Sequence, residues 1–154
     1  MVIKLLISVG IVLALTIALR IAVTIYDAKP KNLSSDYTSL QICPDTANCV
    51  CSCEERESHR VDPIGFDGDT APAMRALLTI INAQNGSVVV TQTHNYLHVT
   101  FKSRLIGYVD DVEFLINENT KKIDVRSASR IGQGDFGANR KRVENIRNQF
   151  QASQ

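Results

Sequence analysis

Apolar residues recur along this chain with three different periods, and each change of period marks an element. From Leu5 to Leu19 fifteen residues pass without a charged side chain. Continued to about Ile25, the run reaches the ~20 residues that a membrane-crossing helix needs. Further on, Met74, Leu77, Leu78 and Ile81 repeat at helical spacing and predict a helix over 70–84. Asp69 is placed to cap it, Pro72 fits its first turn, and Asn85-Gly86 supplies a stop. The period then falls to two. Residues 87–93 and 96–103 predict a hairpin turning at His94-Asn95. With Thr93 facing Tyr96, alternation sends Val88, Val90, Val99 and Phe101 to the core and Thr91, Tyr96, His98 and Thr100 to the other face.

Residues 109–117 and 122–129 predict a second hairpin, whose four-residue connection pairs Ile116 with Ile123 and Phe114 with Val125. That register sets Glu113 directly across from Arg126, with Asp111 on the same face and Arg126 and Arg130 on its diagonals. A slip of one residue would bury the charges instead. Helical spacing returns with Val143, Ile146 and Phe150, predicting a last helix over about 138–150 with Asp135 as cap and a frayed QASQ tail. The sum is an α+β fold: an N-terminal transmembrane helix, then a small domain with an antiparallel sheet of about four strands and two packed helices on one face. The division is 1–26 membrane anchor, 27–42 polar linker containing Pro30 and Ser34-Ser35, and 43–152 folded domain.

Two readings of the leader stay open. Arg20 and Tyr26 suit the boundary of a membrane span, the arginine by reaching its head group to the interface. A cleaved secretory signal would need small residues at alternate positions, and LRIAVTIYDAK offers only Ala22 and Thr24, so the uncleaved anchor is preferred. Lys4 and the terminal amine face Arg20, Lys29 and Lys31, so flanking charge does not choose an orientation.

Composition narrows the functional classes. A net charge of +1 lacks the basic excess of a phosphate-tracking protein, which argues against nucleic acid as a partner. The balance hides an asymmetry: 43–69 carries seven acids against two arginines, and 121–154 carries eight bases against three acids. The simplest expectation is that the two blocks neutralise each other in the fold.

All four cysteines fall in CPDTANCVCSC, at spacings of six, two and two residues that match no zinc or iron-sulfur pattern, so no metal and no cofactor is expected. An even number behind a secretory-type leader fits disulfides in an oxidising compartment. Pro44 and Asp45 favour a turn that brings Cys43 to Cys49, the preferred bridge. Cys51 and Cys53 are then left as a pair one residue apart: free, paired between chains, or holding a soft metal, an intramolecular bridge being strained.

The candidate ligand-binding residues are His98, Asp111, Glu113, Arg126, Arg130, Gly132 and Arg140. Arginines on one surface can hold an anionic ligand while carboxylates orient it. The simpler reading of the same charges is an ion-pair network holding the sheet to the last helix, each cross-strand pair adding only about 0.2–1 kcal/mol. Asp110 and Asp111 cannot readily share a cation, since adjacent strand residues point to opposite faces. Gly132, Gly134 and Gly137 spell a dinucleotide fingerprint, but seventeen residues remain after Gly137, too few for the returning strand that such a site requires. What survives is a glycine-rich helix start able to hold a phosphate or carboxylate.

The stretches CPDTANCV, HRVDPI, AMRALL, NYLHVTFKSRLIGYVDDVEFLI and VRSASRIGQGDFGANRKRVENIR together resemble the bacterial family known as domain of unknown function number 1499. The resemblance implies a small mixed α and β domain, often carried behind a membrane or export segment, and no established activity. Cys51 and Cys53 depart from the family pattern. The expected location is the cell inner membrane, single-pass, with the domain on the periplasmic side. The preferred function is a binding module for an anionic small molecule, a lipid headgroup or a membrane protein partner. The alternatives are a hydrolase-like enzyme using Asp111 or Glu113 with His98, and a structural accessory subunit of a membrane assembly.

Overall fold

The computed structural model describes residues 2–26, 30 and 32–154, without the side chains of 23–26. Lys29, Lys31 and the side chain of Tyr26, invoked above as membrane flanks, lie outside the described residues. Helix α1, Val2–Tyr26, contains one stretch long and apolar enough to cross a membrane, Val2–Ala22, and none of it is buried against the domain. The same length and composition at an N-terminus also suit a signal sequence. The Ser8 and Thr16 hydroxyls are satisfied within the helix, donating to the carbonyls of Leu5 and Leu13.

Strand β1 is Cys49–Cys51 and β2 is Ile64–Gly65; helix α2 is Thr70–Asn82; β3 Ser87–Gln92, β4 Tyr96–Lys102, β5 Val109–Asn117 and β6 Lys122–Ser129 follow, and α3 is Ala138–Ala152. All strand pairs are antiparallel, in the order β1-β6-β5-β4-β3, with β2 also on β6. The sheet therefore has six strands rather than about four. The two additions are three and two residues long, too short to show alternation. They share the outer edge of β6, β1 against Arg126–Ala128 and β2 against Lys122 and Ile123, so the edge is covered along most of its length.

The β5–β6 register is the expected one, with Ile116 opposite Ile123, Phe114 opposite Val125 and Glu113 opposite Arg126. The first hairpin differs in its far half. Thr91 faces His98 as expected, but an irregularity between Val89 and Thr91 absorbs one residue, so Val89 rather than Val90 faces Val99. Val88 and Val90 are consequently exposed, at 61% and 54%, and Val89 packs against the core. At the base of this hairpin Gly86 has φ +77, and a Cβ there would lie 2.5 Å from the Lys102 carbonyl oxygen, so neither the conformation nor the space admits another residue.

One face of the sheet carries Leu97, Val99, Val112, Phe114, Ile116, Ile123 and Val125 beneath Met74, Leu77 and Ile81 of α2 and Val143, Ile146 and Phe150 of α3. Each fully buried side chain of this size contributes about 1.5–3 kcal/mol. Asp69 occupies the N-cap of α2 without a side-chain bond. Gly137 rather than Asp135 occupies the N-cap of α3, and Asp135, two residues earlier, accepts from the Gly137 and Asn139 amides at 2.9 and 2.7 Å. The helix continues to Ala152, through half of the tail expected to fray.

The opposite face is covered by residues that precede β1. Leu40, Cys43, Cys49, Cys51, Tyr96 and Ala128 form a second, smaller apolar cluster. Cys43 is bonded to Cys49, and Cys51 to Cys53, within the chain. The second bridge resolves the alternatives left open for that pair.

Candidate functional site

The period of two on β4 and β5 delivers His98, Asp111 and Glu113 to the face away from the helices, and β6 adds Arg126 to the same face. Two groups result. In the first, Asp111 accepts from both sides: His98 Nε2 lies 2.8 Å from Oδ1, and Arg130 grips the carboxylate with Nε at 2.8 Å and its second nitrogen at 2.9 Å. Burial pushes the Asp111 carboxyl up. The hydrogen bonds from His98 and Arg130, with their charge, outweigh it and hold the pKa below the usual 3.8.

In the second group Glu113 is wholly buried and accepts three bonds: Tyr96 Oη at 2.8 Å, the Ser34 amide at 2.8 Å and Arg126 at 3.3 Å. Burial raises the Tyr96 hydroxyl far above its ordinary range, and the adjacent Glu113 charge adds to it, so Tyr96 stays a neutral donor. Arg126 is 1% exposed, yet its Nε has no hydrogen-bond partner. Such a buried orphan is uncommon and costs about 1–3 kcal/mol.

Arg126 also lines a cavity of about 180 Å³ together with Asp111, Arg130, Gly132, Asn48 and Thr46. At about 30 Å³ per water that is room for roughly six waters, or for one tetrahedral or planar anion. Gly132 is in the left-handed region at φ +90, and Asn48 fixes it by donating to its carbonyl at 2.8 Å. Asn48 in turn accepts from Thr46 and, through its own carbonyl, from the Ser129 amide and Asn139. His98 is not among the residues lining this cavity.

Arg140 does not join the site. Its guanidinium donates to the carbonyls of Arg60 and Ser58 at 2.7 and 2.9 Å, beside a separate cavity lined by His59, Asp135 and Gly137. The α3 basic run divides by face: Arg142 reaches Asp110 at 2.5 Å and lies over the Phe101 ring at 4.8 Å, on the helix side of the sheet. Asp110 and Asp111 thus serve opposite faces, as the strand period requires.

Three contributors carry no local signature in the sequence. Ser34 acts through its backbone amide, Tyr96 lies two strand positions before His98 and reads as any sheet tyrosine, and Asn48 sits in the cysteine segment. Comparison with known proteins adds one match: a family model described as Protein of unknown function (DUF1499) covers residues 39–150. No curated protein and no solved structure matches the chain at a significant level.

Proposed function

The chain belongs to the DUF1499 family, and on that premise we propose that it is a membrane-tethered binding module whose cavity beside Arg126 and Arg130 takes a small anion. One observation carries this reading: the orphaned Nε of a buried arginine, on a residue lining a polar cavity next to a glycine turn and a second guanidinium. A phosphate or carboxylate oxygen in the cavity would take charge-assisted bonds from the guanidinium groups lining it, the buried Arg126 Nε coming within reach on a small shift of its side chain. The anion comes from a free metabolite-sized ligand or from a lipid headgroup. Helix α1 as an uncleaved anchor in the inner membrane, with the domain on the periplasmic side, completes the proposal; the two disulfides support an oxidising compartment.

The test uses the full-length chain in detergent, its thermal midpoint followed against inorganic phosphate, succinate and chloride, and then in nanodiscs of phosphatidylglycerol or phosphatidylcholine. A saturable rise with phosphate or succinate but not chloride is expected, following ligand linkage. Arg130→Ala should remove that rise, because its side chain borders the cavity while remaining 15% exposed. A rise only with phosphatidylglycerol identifies the headgroup as the source. Identical midpoints in every condition would reject the reading.

A second reading has its own support. Both carboxylates accept three bonds from within the chain, with every oxygen engaged, which is what an accessory subunit with an internal ion-pair network requires. The hydrolase reading lacks such support, since the Asp111 carboxylate that would serve His98 is already gripped at both oxygens by Arg130.

A further inference from the structure

Cys51 and Cys53 form a bridge across a single residue, and the two sulfurs differ in access. Cys51 is wholly buried in the second apolar cluster, whereas Cys53 is exposed and borders a cavity of about 650 Å³. Leu40, Leu115, Thr70 and Asp124 are among the residues lining the cavity, and the Thr70 hydroxyl is buried without a hydrogen-bond partner. As a staple the bridge does little, because closing so short a loop removes little chain entropy. Nor does the turn depend on it. Ser52 is tied to β6 by its amide to the Val125 carbonyl, by its hydroxyl from the Val125 amide, and by its hydroxyl to Asp124. Cys51 is tied to His59 and Val61 through its backbone.

We propose that Cys51–Cys53 is a thiol–disulfide exchange site that oxidises a dithiol partner seated in this cavity. The partner thiol loses its proton to water, and its thiolate attacks the accessible Cys53 sulfur. The Cys51–Cys53 bond breaks, a mixed disulfide forms on Cys53, and Cys51 leaves as a thiolate. The Cys53 backbone amide, 3.2 Å from the Cys51 sulfur, is already in place to donate to that leaving group. The partner's second thiolate then attacks its own sulfur in the mixed disulfide and releases Cys53. Two electrons pass to the chain, the partner gains a disulfide, and Cys51 and Cys53 end as a dithiol held in the same turn.

The full-length oxidised chain in detergent is equilibrated in glutathione buffers of increasing reduced fraction, trapped with a mass-tagging maleimide and read cysteine by cysteine by peptide mass. Cys51 and Cys53 should be tagged together at a reduced-to-oxidised ratio at least about tenfold lower than Cys43 and Cys49 require. Tagging of all four at one ratio overturns the proposal. With Cys51→Ser, oxidised glutathione should add to Cys53; with Cys53→Ser, Cys51 should stay unmodified until the chain is unfolded. Modification of Cys51 in preference to Cys53 overturns the assignment of the attacked sulfur. Should either variant fail to fold, the titration of the unaltered chain decides alone.

Discussion

Arg126 and Glu113 are held out of water together, and the cost of separating them is set by whichever charge is left behind. Removing one member of such a pair costs about 3–5 kcal/mol, because the survivor stays buried and uncompensated. Arg126→Ala is therefore expected to lower the denaturant midpoint by that order. From the sequence the substitution loses ligand retention on the binding reading and an ion pair on the network reading, since nothing there shows how deeply the guanidinium is buried. The opposition of Glu113 and Arg126 was legible, because a four-residue connection and an alternating apolar pattern on both strands agree on one register. Val88 and Val90 were not. Three consecutive valines carry no parity, so a one-residue bulge between Val89 and Thr91 could invert their facing without leaving a trace in the pattern.

The cysteine segment behaves as an element of its own, and its acid sensitivity follows from one residue. Glu54 accepts from Arg56 and from the Cys43 amide. The hydrogen bond from Arg56 holds the Glu54 carboxyl at about 2, well below its usual 4.5, against the opposing effect of burial. A depressed carboxyl stabilises the fold above its ordinary pKa and stops doing so as protonation overtakes the folded value. The loop should accordingly loosen as pH falls from 4.5 to about 2, and Glu54→Gln should flatten that slope; hydrogen exchange of the 43–56 amides measures both. Asp111, also depressed, contributes in the same direction below 3.8. Strands β1 and β2 were invisible in the sequence for want of length, whereas α2, α3 and the two hairpins each run long enough to declare a period.

Across the whole molecule, the opposite charge of the 43–69 and 121–154 blocks suggested neutralisation of carboxylates by arginines. The contacts made are of another kind. Arg140 bonds the carbonyls of Ser58 and Arg60, Lys121 that of Gly68, and Arg147 that of Asp62, while Glu54 and Asp45 pair within their own block with Arg56. These three bases thus satisfy loop backbone that has no strand of its own, a demand that composition does not reveal, while Arg126, Arg130 and Arg142 of the same block pair with the carboxylates of β5. At the N-terminus, Arg20 donates to the Arg104 carbonyl in the β4–β5 connection, which sets α1 beside that loop. If α1 remains attached, an alkaline carbonate wash should leave the chain in the membrane pellet, with an N-terminal peptide of intact mass; release with loss of the leader would identify a signal sequence.

The amide that Ser34 lends to Glu113 stands five residues ahead of the family match, which starts at 39. A shortened chain begun at that boundary would strip the buried carboxylate of one of its three donors. Any soluble form meant to preserve the charged cluster must begin upstream of Ser34.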